Sequence, residues 1–257
     1  MIRLVDITHH YGVRPVLRHV NLHVRPGELV GLMGPNGMGK STLLRIAAGM
    51  LWPLSGHVEV GGRRRRQTPE DELAIRRTVA YLPDHPWLPR RATGREFLVA
   101  VGQIYEVPNE RLFDHVERLF DLFDLSDQAD MPIRSYSNGQ RKKIAICSVL
   151  VSEAPVLILD EPFAGGLDPA GILALKHLLK RLAARTDVTV LMATPVPELV
   201  EQVAHRIAVL VDGELVACDT PVALRRKTRC DGPLQDVLGE MIHPDTAASV
   251  DRYFEGR

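Results

Sequence analysis

The sequence contains Gly34-Pro35-Asn36-Gly37-Met38-Gly39-Lys40-Ser41-Thr42, which matches the phosphate-loop (P-loop) pattern GxxxxGK[ST]. Glycines let a backbone curl until several N–H groups point at phosphate oxygens. The apolar run at residues 29–33 is typical of a buried strand, and residues 41–48 predict a helix. A helix that starts at the loop adds the positive end of its dipole. We therefore predict that all nine residues of the loop bind the phosphates of a nucleotide.

Two side chains of this loop and two acids elsewhere are predicted to carry the chemistry. Lys40 can reach the β- and γ-phosphates, and Ser41 can offer its hydroxyl to Mg²⁺. Four apolar residues at 156–159 predict a strand buried on both faces, and Asp160 and Glu161 follow it. Asp160 would hold Mg²⁺ through water, because Mg²⁺ gives up its hydration shell reluctantly. Glu161 would polarise the attacking water, so Lys40 and Glu161 are the catalytic candidates.

The rest of the chain alternates strand patterns with helix patterns. A stripe with spacings of three and four, which includes Leu112, Val116 and Leu119, predicts that residues 93–150 are mostly helical. A further helix is expected at residues 169–185. Strands are predicted at residues 2–7, 19–24, 29–33, 57–60, 78–82, 156–159, 188–192, 206–211 and 214–218. This order predicts an α/β fold with a mainly parallel sheet and an inserted helical subdomain.

The composition limits the partners and the compartment. The 257 residues carry 32 basic and 32 acidic side chains, so no net charge draws the chain to nucleic acid or to an anionic membrane. Three cysteines without CxxC spacing indicate neither a zinc site nor a disulfide framework, and they fit a reducing compartment. No apolar run approaches the ~18 residues of a spanning helix, and the N-terminus has no signal-peptide pattern. Any membrane that the chain serves must be crossed by another polypeptide.

Four further motifs, in order along the chain, carry a family resemblance. Tyr136-Ser137-Asn138-Gly139-Gln140 resembles the LSGGQ signature of ABC ATPases, and Asp168 sits in a segment similar to their D-loop. Tyr11 lies where that family places an aromatic residue on adenine, and Val79-Ala80-Tyr81-Leu82-Pro83-Asp84 resembles the Q-loop strand. Together with the P-loop, these motifs identify the chain as similar to ABC transporter ATP-binding subunits. The short sequences around Asp84 (residues 81–84) and Asp160 (residues 156–163) are most similar to those of the compact exporter-type ATPases.

The resemblance implies an architecture. Its core would be a RecA-like P-loop NTPase with an antiparallel β edge subdomain and an inserted α-helical signature subdomain. The ATP-binding domain would span residues 1–218, with a core at 1–90 and 153–218 and the helical subdomain at about 91–152. The remaining tail, 219–257, is expected to cap the sheet, with an extension of the dimer interface as the alternative.

The resemblance also implies ligands, partners and a location. ATP and Mg²⁺ are the expected ligands, and members of the family pair head to tail around two ATP molecules. Ser137, Gly139 and Gln140 would then contact ATP held by the partner's P-loop, while Tyr11 would stack on adenine or simply belong to the core. The expected partners are a polytopic membrane permease and a second ABC ATPase, in a homodimer or a heterodimer, with no nucleic acid. The chain would be cytoplasmic and peripheral on the inner face of the cell membrane.

Four departures from the family pattern concern the chemistry. Pro195 occupies the position of the switch histidine and has no donor to offer the γ-phosphate. Asp84 replaces the Q-loop glutamine; it adds charge but leaves a carboxylate that can approach Mg²⁺. Asn138 replaces the first signature glycine, and the segment 161–168 is one residue longer than usual. We therefore predict that the chain binds ATP and is an ATP hydrolase whose own site turns over slowly.

Three functions compete at this point. The leading hypothesis is the energising subunit of a transporter. Export is the favoured direction, while import and the identity of the cargo are left open. The alternative is a soluble regulatory or assembly ATPase that uses ATP as a clamp. An unrelated metabolic P-loop kinase leaves the motif at 136–140 without an explanation. Smaller predictions are that Ser137 caps a helix, that His205 is structural, and that the run Arg63 to Arg66 is a solvated loop.

Overall fold

A computed structural model describes residues 1–242 and Tyr253, so much of the predicted tail at 219–257 lies outside the described residues. The strands of the described part are β1 (Ile2–Tyr11), β2 (Arg14–Val24), β3 (Leu29–Met33), β4 (Ser55–Val60), β5 (Arg63–Arg64), β6 (Val79–Leu82), β7 (Val156–Asp160), β8 (Thr189–Ala193), β9 (Arg206–Val211) and β10 (Glu214–Asp219). Its helices are α1 (Lys40–Ala48), α2 (Pro69–Thr78), α3 (Gly94–Ile104), α4 (Asn109–Leu122), α5 (Asn138–Val151), α6 (Pro169–Ala183), α7 (Pro197–Val203), α8 (Pro221–Thr228) and α9 (Leu234–Ile242).

Two sheets organise these elements. The larger one has the order β10-β9-β3-β8-β7-β6, and all its pairs are parallel except β10 with β9. The smaller one has the order β2-β1-β4-β5 and is antiparallel. In the parallel sheet the P-loop follows β3 and Asp160 ends β7, with β8 between these two strands. The carboxyl ends of parallel strands meet at one edge, so both motifs lie there.

Side chains of the central strands alternate between two hydrophobic cores. In β7, Val156 and Ile158 belong to the core shared with the antiparallel sheet, whereas Leu157 and Leu159 belong to the core shared with the helices. A strand buried on both faces must be apolar at every position, which is why residues 156–159 form an uninterrupted apolar run. Helix α1 lies in the first core through Leu43 and Leu44. Its start, where the P-loop ends, is thereby held between the two sheets.

The mostly helical stretch between β6 and β7 consists of α3, α4 and α5, which pack against one another. Thr93 begins α3 with a capping box, in which its side chain accepts from the Glu96 N–H and the Glu96 carboxylate accepts from the Thr93 N–H. Phe120 of α4 is fully buried at the centre of this group. The exact division of the chain at residues 91–152 stays a prediction.

Two differences from the sequence-based expectation lie between residues 63 and 78. Residues 69–78 form α2, which was not predicted; Thr68 caps it and Pro69 occupies its first position. The prediction of a solvated loop at residues 63–66 was wrong for the loop itself and for Arg65, whereas Arg63 and Arg64 are exposed as expected. Arg63 and Arg64 form β5, and Arg65 is buried, with Nε donating to the Ala47 carbonyl at 3.0 Å and Nη1 donating to Glu72 at 3.1 Å.

His205 has the structural role predicted for it, because its Nδ1 accepts from the Leu29 N–H at 2.9 Å. Among the described residues, no helix is both long enough and apolar enough to cross a membrane.

Leu43→Ala tests how strongly α1 is anchored between the sheets. Leu43 is fully buried, so we expect a loss of about 2–5 kcal/mol in the free energy of unfolding, from lost burial and a residual cavity. Urea unfolding followed by circular dichroism measures it. The matched control is Leu173→Ala on α6, where the side chain is 50% exposed and the change should stay within about 0.5 kcal/mol. Equal losses in the two variants would contradict the packing described for α1.

Candidate nucleotide-binding site

The P-loop takes a backbone path that requires glycine at two points. Gly39, directly before α1, has a φ of 96°, and a Cβ there would lie 2.8 Å from the Val16 carbonyl oxygen. Gly34 has a φ of 149°, and a Cβ there would lie 2.1 Å from the Leu210 carbonyl oxygen. The loop is therefore pressed against β2 on one side and β9 on the other, and any larger residue at these positions would displace it.

Lys40 lies inside the loop, with only 6% of its surface exposed. Its Nζ donates to the carbonyl oxygens of Gly34 and Pro35 at 2.7 and 2.9 Å. Burial lowers the pKa of the Lys40 ammonium, and the nearby carboxylates of Glu161 and Asp160 oppose that shift. A buried ammonium whose hydrogen bonds within the described residues go to loop carbonyls is suited to an anionic ligand such as a phosphate.

Ser41 and Asp160 face each other across the site, as the two metal candidates should. The Ser41 hydroxyl donates to Asp160 Oδ1 at 3.1 Å, and Asp160 is 1% exposed. The second oxygen, Oδ2, is buried and has no hydrogen-bond partner among the described residues. Burial raises the pKa of the Asp160 carboxyl, while the Ser41 hydroxyl acts against that shift. A free buried carboxylate oxygen beside a hydroxyl fits Mg²⁺, which takes oxygen ligands.

Glu161 follows directly and has a left-handed φ of 50°, an uncommon geometry for a residue other than glycine. Its N–H donates to the Ala193 carbonyl at 2.8 Å, which ties it to the end of β8. Burial raises the pKa of the Glu161 carboxyl, with Lys40 opposing. Because Asp160 and Ala193 are register partners, Pro195 lies only two residues beyond the same edge, and it is exposed.

Asp84 reaches this edge from the neighbouring strand. Leu82 pairs with Leu159 in the β6–β7 register. Asp84, two residues after Leu82, and Asp160, directly after Leu159, therefore lie at the same edge of the sheet. The negative charge of Asp84 contributes to raising the pKa of both Asp160 and Glu161. A direct contact between Asp84 and a metal stays a prediction.

The signature residues occupy a different place. Ser137 caps α5 as predicted: its hydroxyl accepts from the Gln140 N–H at 3.2 Å, and Gln140 Oε1 accepts from the Ser137 N–H at 2.8 Å. Gly139 lies so close to Gly166 that a Cβ would be 2.6 Å from its carbonyl oxygen. These residues line a polar cavity of about 360 Å³ that includes none of residues 34–42. A single chain thus keeps the signature and the P-loop apart.

Tyr11 ends β1 and is 56% exposed, so the alternative that it belongs to the core is wrong. Its ring makes an edge-to-face contact with His9, with centroids 4.9 Å apart. An exposed aromatic face is available for stacking, and stacking on adenine stays a prediction.

The sequence model of the family described as ABC transporter matches residues 17–164, which is more than half of the chain. The chain belongs to the ABC transporter family. It is 33% identical to the daunorubicin resistance ATP-binding protein DrrA3 of Streptomyces coeruleorubidus, over 94% of this chain and 77% of that protein. It is also 33% identical to the methionine import ATP-binding protein MetN 1 of Salmonella typhimurium, over 86% of this chain and 65% of that protein.

Solved structures agree with this assignment. The ATP-binding subunit of an ABC transporter superposes with a TM-score of 0.86 at 28% identity, covering 93% of this chain and 98% of that one. The cassette MJ0796, in a dimeric post-hydrolysis state bound to ADP and Pi, superposes with a TM-score of 0.77 at 26% identity, covering 86% and 98%. The family resemblance, the P-loop NTPase fold and the assignment as an ABC ATPase are thereby confirmed.

Sequence reasoning missed two cations of this ABC ATPase site. Arg45 of α1 and Lys142 of α5 both lie close enough to Asp160 to lower the pKa of its carboxyl, against the larger effect of burial. Lys142 is 3% exposed, and Arg141 beside it is half-buried. A basic run on a helix cannot keep every side chain in solvent, but only the packing shows that Lys142 and Lys143 both turn inward.

Asp160→Asn is expected to stabilise the nucleotide-free protein at about pH 8 while removing a predicted metal ligand. The folded-state pKa of Asp160 is raised above its ordinary value of 3.8, so the ionised carboxylate costs stability. That cost is absent below the ordinary pKa of 3.8. It develops as the pH rises through the raised pKa of the folded state. The gain of the variant, measured by urea unfolding without metal, should therefore grow with pH.

Asp114→Asn, at an exposed position of α4, is the control and should stay within about 0.5 kcal/mol of wild type. An Asp160→Asn variant that is less stable than wild type at about pH 8 would contradict the unpaired, buried state of Oδ2.

Proposed function

We propose that this ABC ATPase drives export through a separate membrane permease and that it binds ATP together with Mg²⁺. One observation carries the proposal: Lys40, the Ser41–Asp160 pair and Glu161 converge at one edge of the parallel sheet. These are a phosphate cation, a pair of metal ligands and a water-polarising carboxylate. The export direction is supported by the family relative DrrA3, whose name gives it a role in daunorubicin resistance.

Each residue of the site has a separate task in this proposal. The N–H groups of the P-loop and the Lys40 ammonium hold the β- and γ-phosphates, and Ser41 and Asp160 hold Mg²⁺. The ion neutralises charge on the phosphate oxygens when it is bound. Glu161 orients the attacking water and accepts its proton, a task that its raised pKa suits. Tyr11 stacks on the adenine ring.

The separation of the two half-sites supports pairing between ATPase chains. Since Ser137, Gly139 and Gln140 line a cavity apart from their own P-loop, they are available to ATP bound by a second chain. The fixed cap of α5 presents the Ser137 hydroxyl and the first N–H groups of the helix together, and such a helix start favours phosphate. A homodimer and a heterodimer with another ABC ATPase both meet this need.

A groove on the surface suits a membrane-bound partner. It has a volume of about 1040 Å³ and runs between α1, α2, the segment that follows β6 and the end of α3. Its exposed apolar side chains are Met50, Leu73, Trp87 and Ile104. Arginines 45, 65, 76 and 77 also line it, but Arg65, Arg76 and Arg77 already pair with Glu72 or Glu106. An apolar partner segment would therefore complement the groove best. We place the permease contact here and the chain itself on the inner face of the cell membrane.

Gentle detergent extraction of the tagged chain from its native membranes, followed by mass spectrometry, tests the proposed partner. We expect a polytopic membrane protein to co-purify, and Trp87→Ala with Ile104→Ala should reduce its recovery because the apolar groove is lost. The exposed pair Val13→Ala with Phe113→Ala, outside the groove, is the control. Recovery of soluble partners only would instead favour an ATP-dependent clamp without transport.

Pro195→His tests whether the missing donor limits hydrolysis. Pro195 supplies no hydrogen bond to a γ-phosphate, and a single donor of this type contributes about 10²–10³ in rate. We expect Pro195→His to raise ATP turnover of the purified assembly by up to that factor, and Pro195→Ala, which adds a backbone N–H but no side-chain donor, to leave it nearly unchanged. A wild-type assembly that already hydrolyses ATP briskly, with the rate abolished by Glu161→Gln, would contradict slow turnover at this site.

A further inference from the structure

Lys142 is a buried cation to which neither the P-loop chemistry nor the signature contacts assign a task. It lies on α5, five residues after Ser137, and only 3% of its surface is exposed. Taking an ammonium out of water costs several kcal/mol unless opposite charge or hydrogen bonds replace the solvent. The surroundings of Lys142 must therefore provide that replacement.

The surroundings are the acids of the hydrolytic edge. The Lys142 Nζ donates to the carbonyl oxygen of Asp84 at 3.4 Å. Burial lowers the pKa of the Lys142 ammonium, and the carboxylates of Asp84, Asp160 and Glu161 oppose that shift in this order. The head of Lys142 thus lies in the combined field of three carboxylates that come from two neighbouring strand ends.

A glycine makes room for the lysine stem. Gly165 has a φ of 86°, and a Cβ there would lie 3.3 Å from Lys142 Cδ and 3.6 Å from its Cγ. Gly166, with the same φ, follows it in the segment 161–168 that is one residue longer than the family pattern. A side chain at 165 would be strained and would also press on the stem. The long segment, the acid at 84 and the lysine at 142 therefore meet at one place.

We propose that Lys142 is a positioning residue for nucleotide binding: it offsets the negative charge that Asp84 adds beside Asp160 and Glu161, and it ties α5 to the residues that follow β6. This inference rests on the proposed ATP site. With Lys142 the edge holds three carboxylates and three cations, the other cations being Lys40 and Arg45. Without it, the edge has an excess negative charge where the phosphates of ATP must bind.

The charge role makes the effects of Lys142 and Asp84 interdependent. Lys142→Met keeps the length and the apolar stem but removes the charge, so binding of the anionic nucleotide should weaken about tenfold, as close charge pairs are coupled by at least that factor. Lys142→Arg retains a cation and should keep most of the affinity. Combining Lys142→Met with Asp84→Asn removes one charge of each sign and should restore affinity to within about threefold of wild type.

The experiment is a fluorescence titration of the full chain with methylanthraniloyl-ATP, with and without Mg²⁺, at low and at raised salt. Lys180→Met, at an exposed position of α6, is the control and should bind as wild type does. The tenfold loss should shrink only slightly at raised salt, because buried charges are screened much less than exposed ones. Recovery of affinity by Asp84→Asn therefore separates a charge effect from a packing defect. Thermal unfolding of each variant shows that the fold is intact.

Two results would overturn the inference while wild type still binds the analogue. One is a Lys142→Met variant with wild-type affinity, and the other is a loss that neither Asp84→Asn nor Lys142→Arg recovers. If Lys142→Met does not fold, Asp84→Asn alone decides: with one opposing carboxylate removed, the Lys142 ammonium should raise nucleotide affinity at least threefold, and unchanged affinity overturns the inference. Absence of binding by wild type itself would refute the proposed ATP site, which is a separate outcome.

Discussion

The hydrogen bond from the Ser41 hydroxyl to Asp160 joins two motifs that are 119 residues apart, and the site depends on it. Ser41 is fixed by α1, which two sheets hold between them, and Asp160 is fixed by β7, which is buried on both faces. Neither side chain would have a defined position without those packings. The proposed role of the pair as a metal-binding unit therefore depends on two hydrophobic cores that place its backbone first.

The same edge of the sheet is costly for the fold. Burial raises the pKa of Asp160 and of Glu161, and Glu161 also has left-handed backbone geometry. Such features destabilise a protein and persist where function requires them, which is why they cluster at active sites. Here the cations Lys40 and Lys142 partly offset the cost. Removing one charge of this edge would therefore change the pKa values of the other charged groups.

The two surfaces that are predicted to face nucleotide lie in different places on the chain. The P-loop lies at the end of β3, whereas Ser137 and Gly139 lie at the start of α5, against Gly166 of the segment that leads to α6. Lys143 links this region to Asp168, the cap of α6, with a 3.0 Å ion pair. These contacts hold the start of α5, which belongs to the helical stretch and would move with it. The helical stretch also lies beside the groove lined by apolar residues and arginines.

The sequence by itself determined the parts whose signal is local. The loop at 34–42 and the strand before Asp160 were predicted correctly, because glycine spacing and an unbroken apolar run each have few structural solutions. The tertiary structure alone decided which charges are buried. Arg65 and Lys142 look like solvated bases in the sequence, yet both are buried beside acids. Their surroundings come from the strand order and from helices distant in the chain, and no local pattern encodes such contacts.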